Sequence, residues 1–441
     1  MKREVNNMKP HNFEERLIWY TIIGTYGFYL LGAQPIFVPI IAWVLTLYLC
    51  KKLWKQTKNT PADEKIIIPF TVWVWIISML IILFGLYIAH MNFDIGGVRL
   101  IKTFLKWTRE NALWAVFPLI GSCLSIRPQL VYRASCILCL QSLFFIGVCY
   151  LGFLLHLPPN FLYYSPLHRL GGNAQDLYGV VLYFLDDQTN QPRLTLFSPW
   201  APNLALIALI YFLLVRQESD KKWRLIGMIG ASAMVITPLS RAGMLWFPTV
   251  IVLTWILTNF TRPVLYFATG IVSFLISIFA THVRNSVETF TQNLYSARVN
   301  SSQTRMLALR LAMDGWWNEA PIWGHGLTET GPAMMQFLPI GTSCGTWPYL
   351  LYTRGLVGLI AFAVPLLWSF IDLLKKAQKS ATARVGLSIV LVFFFFSFTE
   401  ELDNLSYLYW PGFLMMGIAL KEEVRASVSD FMNVRQSLLK S

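Results

Sequence analysis

Twelve apolar runs, each cut off by charged or Pro/Gly-rich residues, constrain this chain more than any other feature. They lie at 17–33, 36–50, 66–89, 111–126, 134–156, 201–215, 225–239, 242–258, 263–282, 349–373, 385–399 and 405–420. A helix needs about 20 apolar residues to cross a bilayer, and several runs are shorter, so their ends are set only to within several residues. Lipid offers no partner to backbone N–H and C=O groups, so such runs are accommodated as helices. The expected fold is an all-α polytopic membrane protein with about 12 transmembrane helices, forming a single integral membrane domain over 1–441. Composition agrees: 55% of residues are hydrophobic and 13% charged, about half the charged share of soluble domains. This argues against a soluble enzyme, a disordered chain or a secreted disulfide scaffold. The polar start, 1–16, runs into the first span with no A-x-A type cleavage site, so that span is expected to be uncleaved.

The net charge of +13 would point to nucleic acid in a soluble protein. In a membrane protein, an excess of Lys and Arg marks the cytoplasmic loops. With the N-terminus placed inside, inside segments carry 24 Lys and Arg and outside segments 11. Both termini are therefore expected in the cytoplasm, with no nucleic-acid partner. The segment 91–110, with Arg99, Lys102, Lys106 and Arg109 on the outside, runs against the bias. It reads as an amphipathic helix lying on the membrane, or as the mark of a miscounted span. Two outer loops are long, 157–200 and 283–348, and loops of that length are usually functional or disordered. The second is the main periplasmic loop, between spans 9 and 10, and has a helical pattern at 304–319 followed by a turn-like APIWGHG.

Cys136 and Cys139 have CxxC spacing inside an apolar stretch and read as small helix residues. No Cys/His cluster has zinc spacing. Four constellations, all in outer segments or at outer ends of spans, carry possible chemistry. Ser240-Arg241 joins two successive spans, where the arginine either snorkels or contacts an anion. Arg284, Arg298, Arg305 and Arg310 stand in a stretch with no Lys and one acid, Glu288, and arginine can bind phosphate oxygens bidentately. Arg305 and Arg310 diverge by about 140° on a helix. Pro339–Gly358 puts Gly, Thr342 and Ser343 just before an apolar helix, as an anion or sugar contact or as an ordinary cap, with Arg354 one to two turns into the span. Glu400, Glu401 and Asp403 sit at the outer end of a span, either as partners of the arginines or with one as a general base. His325 is a loop histidine, incidental or functional.

These pieces, in this order, resemble the O-antigen ligase and polymerase family of bacterial polytopic membrane proteins. The resemblance rests on Ser240-Arg241 and on Arg305 to Arg310 through Glu319-Ala320-Pro321-Ile322-Trp323-Gly324-His325-Gly326. It continues in Gly341-Thr342-Ser343-Cys344-Gly345-Thr346-Trp347, then Leu351-Tyr352 and Gly355-Leu356-Val357-Gly358. It covers 240–360 in detail and the rest by topology. It implies an inner-membrane, metal- and cofactor-independent glycosyltransferase that polymerises or ligates undecaprenyl-diphosphate-linked oligosaccharide on the periplasmic face, as in O-antigen, capsule or exopolysaccharide synthesis. The acceptor hydroxyl attacks the anomeric carbon with inversion, and arginines stabilise the departing diphosphate. The acceptor is another glycan or lipid A-core, and other polysaccharide assembly proteins are implied as possible partners. Arg241 and Arg298 are the first candidates for the clamp, then Arg305 and Arg310. Ser240, His325, Thr342, Ser343, Trp347 and Arg354 are expected to bind substrate. The family histidine falls on Cys344, and a thiol (reference pKa about 8.5, against about 6.5 for His) is a poor base at neutral pH. Either Glu400, Glu401 or His325 takes that role, base assistance is weak, or the chain is not an active ligase. The competing readings are a transporter of an anionic solute and a non-catalytic subunit of a polysaccharide assembly complex.

Overall fold

The computed structural model describes residues 9–56, 61, 65–159, 161–170, 175–186, 189–260, 262–281, 284–286, 288–289, 292, 299–328, 340–342 and 345–422. About 74% of the described residues are helical. The first apolar run is not one helix. It divides into α1 (Phe13–Ile23) and α2 (Thr25–Leu31) at Gly24, where a Cβ would lie 2.7 Å from Tyr20 O. There follow α3 (Gln34–Lys55), α4 (Phe70–Asn92), the short basic α5 (Gly97–Arg109), α6 (Leu113–Cys123) and α7 (Pro128–Leu154). After two small ribbons come α8 (Ala201–Val215), α9 (Lys221–Ile236), α10 (Arg241–Asn259) and α11 (Pro263–Ile278). The last four are α12 (Val299–Glu319), α13 (Thr346–Ala377), α14 (Ala381–Phe396) and α15 (Ser406–Leu420).

Five of these, α3, α4, α7, α10 and α13, are long and apolar enough to cross a membrane. Shorter apolar helices include Ala201–Val215, Leu265–Ile278 and Ala381–Phe396. The run at 111–126 shrinks to the 11 residues of α6, about 16 Å of helix, which does not span a hydrocarbon core by itself. The all-α class holds, and 157–200 adds two small ribbons between helices. There β1 (Phe161–Tyr164) pairs antiparallel with β2 (Gly179–Val181), and β3 (Phe184–Leu185) with β4 (Pro192–Arg193).

The core is aromatic and close-packed. Trp75, Trp114, Phe362, Phe393 and Phe413 put ring centroids 4.4 to 6.1 Å apart. α6 and α15 cross where Gly121 faces Leu414 O and Gly417 faces Pro118 O, at 2.2 and 2.3 Å from where a Cβ would stand. Small residues let backbones meet in this way. Gly227 and Gly230 of α9 do the same against Cys136 and Cys139, which are buried packing residues. Every residue of α8 except Pro202 is buried. Every residue of α11 whose side chain is described, except Leu265, is exposed. Both helices are apolar; the first is wrapped by protein, and the second has the surface of a helix solvated by lipid.

The connections sort into two groups. At one end, Tyr163 Oη donates to Leu30 O (2.8 Å), Leu194 N to Thr237 O (3.2 Å), Ser406 Oγ to Glu110 O (2.7 Å) and Arg305 Nη1 to Thr399 O (3.4 Å). At the other, Lys52 pairs with Glu14 (2.9 Å), Arg127 with Glu15 (2.7 Å) and Arg133 with Glu218 (3.0 Å), while Lys421 Nζ donates to Leu124 O (3.3 Å). Each of these contacts joins two segments at the same end of the bundle. The basic helix α5 belongs to the Arg354 end, with Val98, Ile101, Phe104 and Leu105 exposed and Trp107 buried against Met79 O (3.0 Å).

Candidate functional site

The Arg354 end is organised by a break in α13. Gly355 (φ 62°, ψ −165°) interrupts the helix, a conformation that L side chains rarely adopt. A helix broken there leaves backbone groups without their usual partners. The turn after α12 supplies them: His325 N donates to Tyr352 O (2.9 Å), Gly326 N to Thr353 O (2.8 Å), and Pro321 O and Ile322 O accept from Leu356 N (2.9 Å) and Val357 N (3.2 Å). The approach is so close that a Cβ on Gly355 would stand 2.2 Å from Ile322 O. A Cβ on Gly324 (φ 69°) would stand 2.3 Å from Arg354 N. Gly358 makes room for the Arg354 side chain, which a Cβ there would meet at 2.2 Å. The two sequence stretches 319–326 and 355–358 are therefore one structural unit.

That unit turns Arg354 inward. The guanidinium is buried, approaches Asp403 Oδ2 at 2.6 Å and lies 5.7 Å from the Tyr349 ring. Beside Asp403 is Glu110, also buried, within 3.4 Å of Arg109 and 3.7 Å of Lys106. Burial raises the Glu110 carboxyl above the ordinary range, against the lowering charges of Lys106 and Arg109. Several atoms here are buried without a hydrogen-bond partner: Glu110 Oε2, Asn111 Nδ2, Arg354 Nε, Asp403 Oδ1 and Asn404 Oδ1. The Arg354–Asp403 approach is itself an ion pair without hydrogen-bond geometry. An unsatisfied buried polar atom costs about 1–3 kcal/mol, so this cluster, counted among the described residues, is the least internally paired buried polar group at this end.

Above this floor lies the 397–402 connection. Thr346, at the start of α13, fixes it: its N donates to Ser397 O (2.8 Å), its Oγ1 donates to Glu400 O (2.7 Å) and accepts from Leu402 N (3.1 Å). Glu400 is half-buried, and burial raises its carboxyl to about 7, with the Arg305 charge opposing. Arg305 is exposed on α12 and reaches this connection at Thr399 O. Glu401 accepts from Asn404 Nδ2 (2.7 Å).

The structure thus brings together Arg305, Glu400, Glu401, Arg354 and Trp347, which packs on Phe362 and Phe398. It places Ser240 differently. That residue is the buried N-cap of α10, its Oγ accepting from Gly243 N (3.3 Å), which accounts for its presence without a substrate. Arg241 follows it, half-buried in the first turn of α10. Trp246, further along α10, stacks on Phe395 (4.8 Å), so this helix start and Arg305 both border the end of α14. Arg310 is exposed and Thr342 half-buried. His325 is a packed, partnered residue: Nδ1 lies 3.1 Å from Tyr352 O, Nε2 2.9 Å from Glu319 Oε2, and its ring lies between Phe93 and Tyr352. Arg298, Ser343 and Cys344 lie outside the described residues.

Sequence reasoning missed Glu110 and Tyr349, and gave Glu319, named in the resemblance, no role of its own. Glu110 carried a usable signal, an acid directly before an apolar run, since carboxylates at membrane depth are expensive and rarely idle. Among the described residues, no group of three or more His, Cys, Asp or Glu is placed to hold a metal. No protein-family model matches the chain, and no curated protein matches it.

Proposed function

We propose that this chain is a polytopic enzyme of the bacterial inner membrane that transfers a glycan from a polyprenyl-diphosphate donor to an acceptor hydroxyl. In this reading the chain makes about twelve traverses, short helices included. The Arg133 end, with both termini, faces the cytoplasm, and the Arg354 end faces the periplasm. The observation that carries it is Glu400. A half-buried carboxyl raised to about 7, with the charge of Arg305 from a separate helix acting on it and that arginine bonded to the neighbouring Thr399 O, supplies a base beside an anion contact.

The chemistry follows from those two groups. The acceptor hydroxyl forms a bond to the anomeric carbon as the bond from that carbon to the diphosphate oxygen breaks. The hydroxyl proton passes to Glu400. The bonding pair leaves with the diphosphate, and Arg305 stabilises the charge that develops there, an effect that grows toward the transition state. A base with pKa near the working pH combines a sizeable ionised fraction with useful basicity. Arg354 and Asp403 act beneath, by holding the connection that carries Glu400. Polymerisation and ligation share this donor chemistry and differ only in the acceptor.

The test is transfer of sugar from a lipid-diphosphate oligosaccharide by the purified chain in lipid nanodiscs. Wild type transfers, and Arg305→Ala and Glu400→Gln retain only a small residual rate. Transfer at wild-type rates by both variants overturns the assignment. Counterflow of a labelled anion without transfer establishes the transporter instead.

A further inference from the structure

At the Arg133 end, far from the site above, a cavity of about 360 Å³ opens between the last turns of α8 and α10 and the first turns of α14. One side is basic. Arg216 and Arg384 both line it, both are exposed, and neither pairs with a carboxylate among the described residues. Arg384 uses only Nε, donated to Ala377 O at 3.0 Å. Thr254 Oγ1, another lining residue, is buried without a hydrogen-bond partner. Among the described residues, no acidic side chain lines the cavity. The α8 and α10 C-termini each bring a partial charge of about −0.5, and the α14 N-terminus about +0.5; two full arginine charges outweigh them. The other side is apolar: Leu213, Ile251 and Val385 form the wall, and it continues onto exposed Val252 and Trp255 of α10. Tryptophan is the residue of the membrane–water boundary.

We infer that this cavity is a binding site for the phosphodiester headgroup of an anionic glycerophospholipid, with Arg216 and Arg384 on the phosphate and an acyl chain along Val252 and Ile251. Basic pockets between helices take such headgroups, and arginine forks match phosphate oxygens. A free phosphate ion shares the headgroup chemistry but makes no use of the apolar wall. The inference does not depend on the glycan reading, since it concerns the opposite end and needs only that α8, α10 and α14 lie in a bilayer.

The experiment is titration of the purified full chain, in neutral detergent, with phosphatidylglycerol, phosphatidylcholine and inorganic phosphate, read by native mass spectrometry. Phosphatidylglycerol is expected to bind on the order of 10- to 30-fold more tightly than phosphatidylcholine. Arg216→Ala with Arg384→Ala abolishes that preference, and Arg216→Lys with Arg384→Lys retains most of it, which separates lost charge from lost fold. Val252→Trp weakens phosphatidylglycerol with both arginines in place. An unchanged preference in the double alanine variant overturns the site. Inorganic phosphate binding as tightly as phosphatidylglycerol overturns the lipid assignment.

Discussion

Both ends of this bundle bury an arginine against an acid, and the two pairs are finished differently. At the Arg133 end, Glu218 accepts from Arg133 Nε (3.1 Å) and Nη2 (3.0 Å), from Ser219 Oγ (3.2 Å) and from Asp220 N (3.1 Å). At the Arg354 end, Arg354 and Asp403 meet at one 2.6 Å approach, and Asp403 Oδ1, Arg354 Nε and the nearby Glu110 Oε2 have no hydrogen-bond partner. A buried pair is weak evidence of stability unless its remaining hydrogen bonds are met. The saturated pair reads as structure, linking α7 to the start of α9. The other adjoins the 397–402 connection that carries Glu400.

The largest effect is expected from removing one partner of the saturated pair. Glu218→Ala should destabilise the chain by about 3–5 kcal/mol, the cost of breaking a buried pair, since among the described residues only Asp220 Oδ2, at 3.9 Å, then remains beside Arg133, and thermal unfolding in detergent measures it. Gly355→Ala should come next, because a side chain at φ 62° meets Ile322 O; a cost of at least about 1–3 kcal/mol is expected, with the same readout. At the unsaturated end the loss should be functional. Arg305→Ala should lower sugar transfer by about 10²–10³-fold with the unfolding temperature unchanged, because Arg305 is exposed. A stability loss there instead would erase the distinction between the ends.

Acidity sharpens it further. Glu400 rises from 4.5 to about 7, so its base form is gained as pH climbs through 7. Transfer should increase over that interval and level off above it, and Glu400→Gln should remove the titration. Stability runs the other way. The folded protein holds a proton that the unfolded chain has lost, so this group's contribution falls as pH rises from 4.5 through about 7. The smallest effect is expected of Arg310→Ala. Arg310 is exposed on α12 and points well away from Arg305, and transfer within about twofold of wild type is the outcome consistent with Arg305 acting as the anion contact.

Much of this was legible in the chain because it is local. The apolar runs, the α12 pattern, the amphipathic α5 and the start of α10 at Ser240-Arg241 all follow from spacing and capping. The candidate site was legible only in pieces. Arg354 and the acids at 400–403 were visible as costly charges beside apolar runs, but not which acid Arg354 meets. Glu400 differs from Glu401 through its burial and its nearness to Arg305, neither of which is a sequence property. His325 stood out as a loop histidine and turns out to be held by Glu319, Tyr352 and Phe93.

Neighbours along the chain fix the lipid medium and most of the helices. Apolar runs with internally paired backbones require a helical protein in lipid, and alternation of basic loops sorts its connections into two groups. Only the tertiary structure decided which helices are buried all round, as α8 is, and which face outward throughout, as α11 does. It also decided that the turn at 321–326 completes the broken helix at Gly355, so that Arg354 lies beside Asp403. The reason is physical. Hydrophobicity and helix formation are read from neighbours along the chain, whereas burial, ion pairing and raised acidity depend on what folding brings from elsewhere.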